Sequence, residues 1–305
     1  MKKDLLSVLD LNRSEAEQLI EQALVMKQGG MRCLLPWRSV ALLFEKPSLR
    51  TRVSFDVAVS QLGGHCLYLS PQEVGLGQRE PVPDVARVLS RYVDCIVARV
   101  FSHGTLEALA QYSTVSVINA LSDFEHPCQA LADMLTIRER KGRLEGVRLA
   151  YVGDGNNVAR SLAFLCAQLG VDFVIASPNG YELDSATVGK AKATAEAHGS
   201  RVSSISDPVE AVAGCDVVYT DTWTSMGQEA EAAVRREVFA GFQVNAALMT
   251  HARPDAIFMH CLPAHHGEEV TSDVLNGPSS VVFDQAENRL HAQKAVLAQI
   301  LIPAD

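Results

Sequence analysis

The sequence of 305 residues holds nothing near the ~18 uninterrupted apolar residues that a membrane-spanning helix needs. It has no basic block either. Its 27 lysines and arginines face 36 acidic residues, a formal net charge of -9, which argues against a nucleic-acid partner. No two of the seven cysteines (33, 66, 95, 128, 166, 215 and 261) form a CxxC pair. An odd number, mostly inside apolar runs, reads as reduced, buried thiols of a cytosolic protein. The start, Met1-Lys2-Lys3-Asp4-Leu5, lacks the apolar core and cleavage site of a signal peptide. Repeats, low-complexity tracts and long linkers are also missing. Aromatic residues are only 6% of a chain that is 48% hydrophobic and 21% charged, which excludes disordered, collagen-like and coiled-coil classes.

What is present is an alternation of short apolar runs with longer amphipathic ones. Strands are expected at 39–44, 66–69, 95–99, 115–119, 148–152, 172–176, 202–205, 216–220, 256–261 and 280–283. Helices separate them; 50–62 places Phe55, Ala58, Val59 and Leu62 on one face. Such alternation predicts an α/β protein with parallel sheets. Two doubly wound domains joined by helices fit this length better than one sheet of ten strands. The polar run Arg138-Glu139-Arg140-Lys141-Gly142 at the end of helix 127–141 suggests domains 1–140 and 141–287. A last helix, 288–302, is expected to pack back on the first.

The motifs cluster after strands. Ser48-Leu49-Arg50-Thr51-Arg52 opens a helix, with Ser48 as N-cap and two arginines where the helix dipole disfavours cations. An anion at that terminus would justify them. His126-Pro127-Cys128-Gln129 again starts a helix, Pro127 suiting the first turn. Gly153-Asp154-Gly155-Asn156-Asn157 lacks the third glycine of a dinucleotide fingerprint and reads better as a turn letting Asn157 reach a ligand. Asp221-Thr222-Trp223-Thr224-Ser225-Met226-Gly227 offers a carboxylate for an ammonium, or merely a helix cap. His260-Cys261-Leu262-Pro263 is a poor metal motif, since neighbours on a strand face opposite ways. Glu287-Asn288-Arg289 is expected to open the final helix. Arg50, Arg52, Arg99, His126 and Arg289 thus gather positive charge in an acidic protein, as an anionic substrate requires.

In this order the motifs resemble the aspartate/ornithine carbamoyltransferase family, over about residues 40–300. The first two are shared across the family; Ser225-Met226-Gly227 and His260-Cys261-Leu262-Pro263 favour its ornithine branch. The resemblance implies an active site in a cleft between the domains. It implies that Ser48, Leu49, Arg50, Thr51, Arg99, His126, Gln129, Cys261, Leu262 and Arg289 bind carbamoyl phosphate. Asn157, Asp221, Ser225 and Met226 would hold L-ornithine. Arg50, Thr51, His126, Cys261 and Arg289 would be catalytic, with His126 and Thr51 on the carbamoyl oxygen. The implied reaction carries the carbamoyl group to the δ-amine of ornithine, giving L-citrulline and phosphate, in arginine biosynthesis or in reverse.

No cofactor or metal is expected, and a homotrimer or a multiple of trimers is. In many relatives a glutamine from the loop after strand 66–69 reaches a neighbouring subunit; Gly75 stands there, with Gln78 a possible substitute. Residues 71–83 are expected as a loop too rich in Gly and Pro for helix or strand. Putrescine, aspartate or an acylated ornithine are the nearest alternative acceptors. A nucleotide-dependent dehydrogenase would leave the arginines idle, and a non-catalytic anion binder would not need Asp221 and Cys261.

Overall fold

The computed structural model describes residues 3–30, 33–225 and 227–302. The chain divides into two units, Met1–Leu135 with Glu287–Asp305, and Thr136–Ala286. In the first, strands β1 (Ser39–Phe44), β2 (His65–Leu69), β3 (Cys95–Arg99) and β4 (Ser116–Leu121) form a parallel sheet ordered β2-β1-β3-β4. Its helices are α1 (Arg13–Lys27), α2 (Leu49–Gln61), α3 (Pro71–Val74), α4 (Val82–Leu89), α5 (His103–Tyr112) and most of α6 (Pro127–Lys141).

Val40-Ala41-Leu42-Leu43-Phe44 is buried throughout, the continuous apolar run of a strand covered on both faces. On one face Ala41, Leu43, Ile96 and Ala98, two apart along their strands, meet Val85 and Ala86 of α4 and Leu106 and Leu109 of α5. α2 begins where expected, at a Ser48 N-cap that accepts from the Thr51 N–H, and buries Phe55, Ala58 and Val59.

The second unit has five parallel strands, β5 (Arg148–Val152), β6 (Asp172–Ala176), β7 (Val202–Ile205), β8 (Val217–Thr220) and β9 (Ile257–His260), ordered β7-β6-β5-β8-β9. α7 (Asn157–Leu169), α8 (Ser185–Ala197), α9 (Pro208–Val212), α10 (Ala232–Val238), α11 (Ala246–Met249) and α12 (Ser272–Leu275) accompany them. α6 and α13 (Val282–Leu301) each contain a point of division between the units. The α/β class with two doubly wound parallel sheets is therefore as the sequence indicates. No helix among the described residues is long and apolar enough to cross a membrane.

Three expectations need correction. Residues 280–283 are not a strand. Ser280 makes a single bridge to Phe258, and Val282 already belongs to α13, so a short apolar run served as a helix start. Arg289 consequently lies two turns inside that helix instead of opening it. Residues 71–83 are also more ordered than their composition suggests. Ser70 and Glu73 form a capping box on α3, and Leu76 bridges Glu80 before α4 begins. Gly75 ends α3 in the left-handed region (φ 56°), where a Cβ would stand 2.9 Å from that of Arg79. Its missing side chain has a local cause.

Both sheets reverse their strand order once, between β1 and β3 and between β5 and β8. In open α/β sheets, ligands bind outside the carboxyl ends of the strands at such a reversal. The Ser48–Arg52 segment, Arg99, the Gly153–Asn157 turn and Asp221 lie there.

Candidate active site

In the first unit, β1 leads into Ser48 and β3 ends at Arg99, the two strands flanking the reversal. The Thr51 side chain is fully buried, and its Oγ1 is the meeting point: Ser48 Oγ donates to it at 3.0 Å, Arg289 Nη2 at 3.0 Å and Arg99 Nη1 at 3.5 Å. Two buried guanidiniums converging on one hydroxyl repel each other, and an anion placed between them would relieve that cost.

Arg50 is half-buried in the first turn of α2 and pairs with no carboxylate among the described residues. Arg52 turns elsewhere, stacking 3.9 Å above the Tyr68 ring, and Leu49 is exposed. His126 precedes α6 and is buried; burial first, then the charges of Arg289 and Arg99, hold its imidazole well below the usual histidine range. It is therefore a neutral group at neutral pH, able to donate one hydrogen bond and accept another. Gln129, one turn on, is 1% exposed and donates through Nε2 to Asp133 Oδ1 at 2.8 Å.

In the second unit, β5 leads into the Gly153–Asn157 turn and β8 into Asp221. Asp221 is buried and triply hydrogen-bonded. Oδ1 accepts from the Cys261 thiol at 2.9 Å and from the Thr222 N–H at 2.8 Å, and Oδ2 from Asn156 Nδ2 at 2.9 Å. Cys261 and Leu262, just beyond β9, are half-buried, and Leu262 takes a left-handed φ of 58°. Ser225 is half-buried, its N–H donating to Gln228 Oε1 at 3.1 Å. Met226 lies outside the described residues.

Asn156, which the sequence analysis did not single out, links this turn to Asp221. It caps α7, accepting from the Val158 and Ala159 N–H groups while its amide nitrogen reaches Asp221; Asn157 is the first helical residue. The preference of asparagine for the residue preceding a helix was the available signal. Arg235 of α10 is a second residue missed. It donates to Asp154 Oδ2 at 3.0 Å and to the Trp223 carbonyl at 2.9 Å, bracing both loops from a distance in sequence that no local pattern reveals.

Gly155 serves packing: a Cβ there would lie 2.3 Å from the Leu183 nitrogen. The space a dinucleotide's pyrophosphate would use at that glycine is filled by the chain's own backbone. The argument against a metal at His260-Cys261 also changes. β9 ends at His260, so strand alternation does not separate the pair, and ligand atoms of Asp221, His260 and Cys261 lie within 4.8 Å of one another. Both His260 nitrogens are however engaged, Nδ1 by the Leu262 N–H at 2.9 Å and Nε2 with Glu269 at 3.1 Å.

Residues 3–139 match the family model described as "Aspartate/ornithine carbamoyltransferase, carbamoyl-P binding domain", and 145–300 the one described as "Aspartate/ornithine carbamoyltransferase, Asp/Orn binding domain". The chain belongs to the aspartate/ornithine carbamoyltransferase family. Among carbamoyltransferases of known sequence it is 55% identical over 303 residues to the anabolic ornithine carbamoyltransferase of Pyrococcus furiosus, covering 98% of this chain and 96% of that one. It is 54% identical, with the same coverage, to the ornithine carbamoyltransferase of Thermococcus kodakarensis. The solved structure of the Pyrococcus furiosus ornithine carbamoyltransferase superimposes with a TM-score of 0.96, covering 100% of this chain and 98% of that chain at 54% identity. As a carbamoyltransferase, the chain has Thr51 within the first matched stretch and Asp221 within the second.

Proposed function

We propose that this chain is an ornithine carbamoyltransferase, moving the carbamoyl group of carbamoyl phosphate to the δ-amine of L-ornithine to give L-citrulline and phosphate. The observation that carries the reading is the pair of polar clusters at the two sheet reversals. One is cationic around Thr51, the other anionic around Asp221. In this reading Ser48, the Leu49 backbone, Arg50, Thr51, Arg99 and Arg289 hold the phosphate, and Gln129 and His126 hold the carbamoyl end. Asp221 reads the ornithine α-ammonium, with Asn157, Ser225 and Met226 completing that pocket. Cys261 and Leu262 contact both substrates.

The chemistry follows from charge. The neutral δ-amine attacks the carbamoyl carbon, the C=O electrons move to oxygen, and the tetrahedral oxyanion collapses as the C–O bond to phosphate breaks. The amine proton leaves with the departing phosphate or solvent. Thr51, Arg50 and neutral His126 donate to the developing oxyanion, while the arginines stabilise the leaving phosphate. Preorganised donors of this kind contribute roughly 3–4 kcal/mol each. Attack needs the amine in contact with the carbonyl carbon.

We further propose a homotrimer, or a multiple of trimers, in the cytoplasm. Leu49, Val53 and Val57 of α2, four residues apart, are 76%, 47% and 36% exposed, an apolar stripe suited to a second copy of the chain. The test of the reaction is citrulline formation from carbamoyl phosphate with a panel of amines. Ornithine should exceed putrescine, aspartate and N-acetylornithine by orders of magnitude; a preference for any of these would replace the reading.

A further inference from the structure

Glu269 is a buried carboxylate that the proposed reaction does not use, and neither its side chain nor that of His260 has any exposed surface. Its Oε1 accepts from His260 Nε2 at 3.1 Å and from the His265 N–H at 2.6 Å, while Oε2 lies 3.6 Å from His265 Nδ1. Burial pushes this carboxyl up, but the bonds from His260 and the His265 backbone outweigh it and hold it below the usual glutamate range.

The tautomer of His260 follows from its other edge. Nδ1 accepts the Leu262 N–H at 2.9 Å, so the ring proton resides on Nε2 and points at Glu269. The backbone N–H of His260 donates to Gln285 Oε1 at 2.9 Å, and Gln285 Nε2 to the Tyr219 hydroxyl at 3.1 Å, so the ring has an anchored backbone beneath it. One carboxylate therefore fastens both ends of the His260–His265 turn, within which Leu262 takes its uncommon positive φ.

The network also reaches across to the neighbouring loop. His265 Nδ1 shares a hydrogen bond with Thr222 Oγ1 at 3.1 Å. The Thr222 hydroxyl donates to the Thr224 carbonyl at 3.1 Å, and its N–H to Asp221 Oδ1, the oxygen that also takes the Cys261 thiol. Both loops of the amine pocket thus trace back to a single buried acid. Burying a carboxylate is costly, and apolar residues of similar volume would hold a turn as firmly if stability were the only demand.

We propose that Glu269 is a positioning residue: through His260 it fixes the Cys261–Leu262 turn, and through His265 it ties that turn to the Asp221–Ser225 loop, so that ornithine meets preformed contacts. This rests on the reading of the second unit as the ornithine half-site. Three variants test it: Glu269→Ala, Glu269→Gln and His265→Ala. Each is assayed for citrulline kinetics, for binding of carbamoyl phosphate alone by calorimetry, and for fold by circular dichroism.

Displacing a catalytic turn by an ångström costs on the order of 100-fold, so Glu269→Ala should lower kcat/KM for ornithine ~10- to 100-fold. Carbamoyl phosphate affinity should stay unchanged. Glu269→Gln, whose amide oxygen still accepts from both donors, should recover most of the loss. His265→Ala, at an exposed side chain, should raise the ornithine KM severalfold with little change in kcat. Wild-type kinetics in Glu269→Ala, glutamine no better than alanine, or parallel loss of both ligands would overturn the assignment. If Glu269→Ala fails to fold, His265→Ala decides it: an unchanged ornithine KM refutes the link. A wild-type protein that makes no citrulline would count against the reaction instead, and ornithine binding measured on the same variants would still judge the network.

Discussion

Arg50 occupies a position where helix electrostatics disfavour a cation, and it pairs with no carboxylate among the described residues. Arg50→Leu should leave the fold intact and lower kcat at least ~100-fold, the scale of removing one oxyanion donor; steady-state rates with a circular dichroism control measure it. Asp221→Asn keeps the shape and removes the charge, so the ornithine KM should rise while carbamoyl phosphate binding alone is unaltered. Calorimetry on each ligand separates the two. Cys261→Ser should retain measurable activity, because the thiol donates to Asp221 and the proposed chemistry forms no bond to sulfur; mass spectrometry showing a carbamoyl-cysteine adduct would contradict that. At this scale the sequence was informative where chemistry and local structure coincide. Ser48 was legible as a cap, and the arginines as an oddity demanding an anion. Asn156 and Glu269 were not, because their significance lies in partners 65 and 9 residues away that only the fold brings near.

At the scale of elements, most strands and the crossover helices were readable because buried parallel strands are continuous apolar runs flanked by amphipathic segments. The failures share a cause: short segments whose periodicity is ambiguous, such as 280–283 and 71–83, are decided by caps and neighbours. Gly155→Ala should be severe, since a Cβ would stand 2.3 Å and 2.4 Å from backbone atoms of Leu183 and Glu182 that cannot swing aside. A loss of about 3 kcal/mol or more by urea unfolding is expected, beyond the usual overpacking cost. The start of α6 carries a pH dependence. His126 has its pKa depressed in the folded state, so below about pH 6.5 the unfolded chain binds a proton the folded one refuses. Stability should therefore fall as pH drops from 7.5 to 5.5, by up to ~1.4 kcal/mol per pH unit from this group, and hold above that range. His126→Asn should flatten the decline in parallel urea titrations.

For the whole molecule, the two-sheet plan was visible in the alternation of strands and helices, and the family in four short motifs. The sequence suggests an assembly only through that resemblance. Sedimentation should show a species of at least three chain masses, and Val53→Glu, which places a charge in the apolar stripe of α2, should shift it towards smaller ones. A wild-type protein sedimenting as an active monomer would refute the trimer.

Arg289 reaches Thr51 across 238 residues of chain. On a ribosome, where synthesis runs from the N-terminus, the whole second sheet leaves the exit tunnel before that guanidinium does. The proposed phosphate pocket can gain that cation only after the second sheet has been made. A nascent chain, however well its early strands have paired, therefore lacks one partner of Thr51 in the proposed anion site until α13 is made.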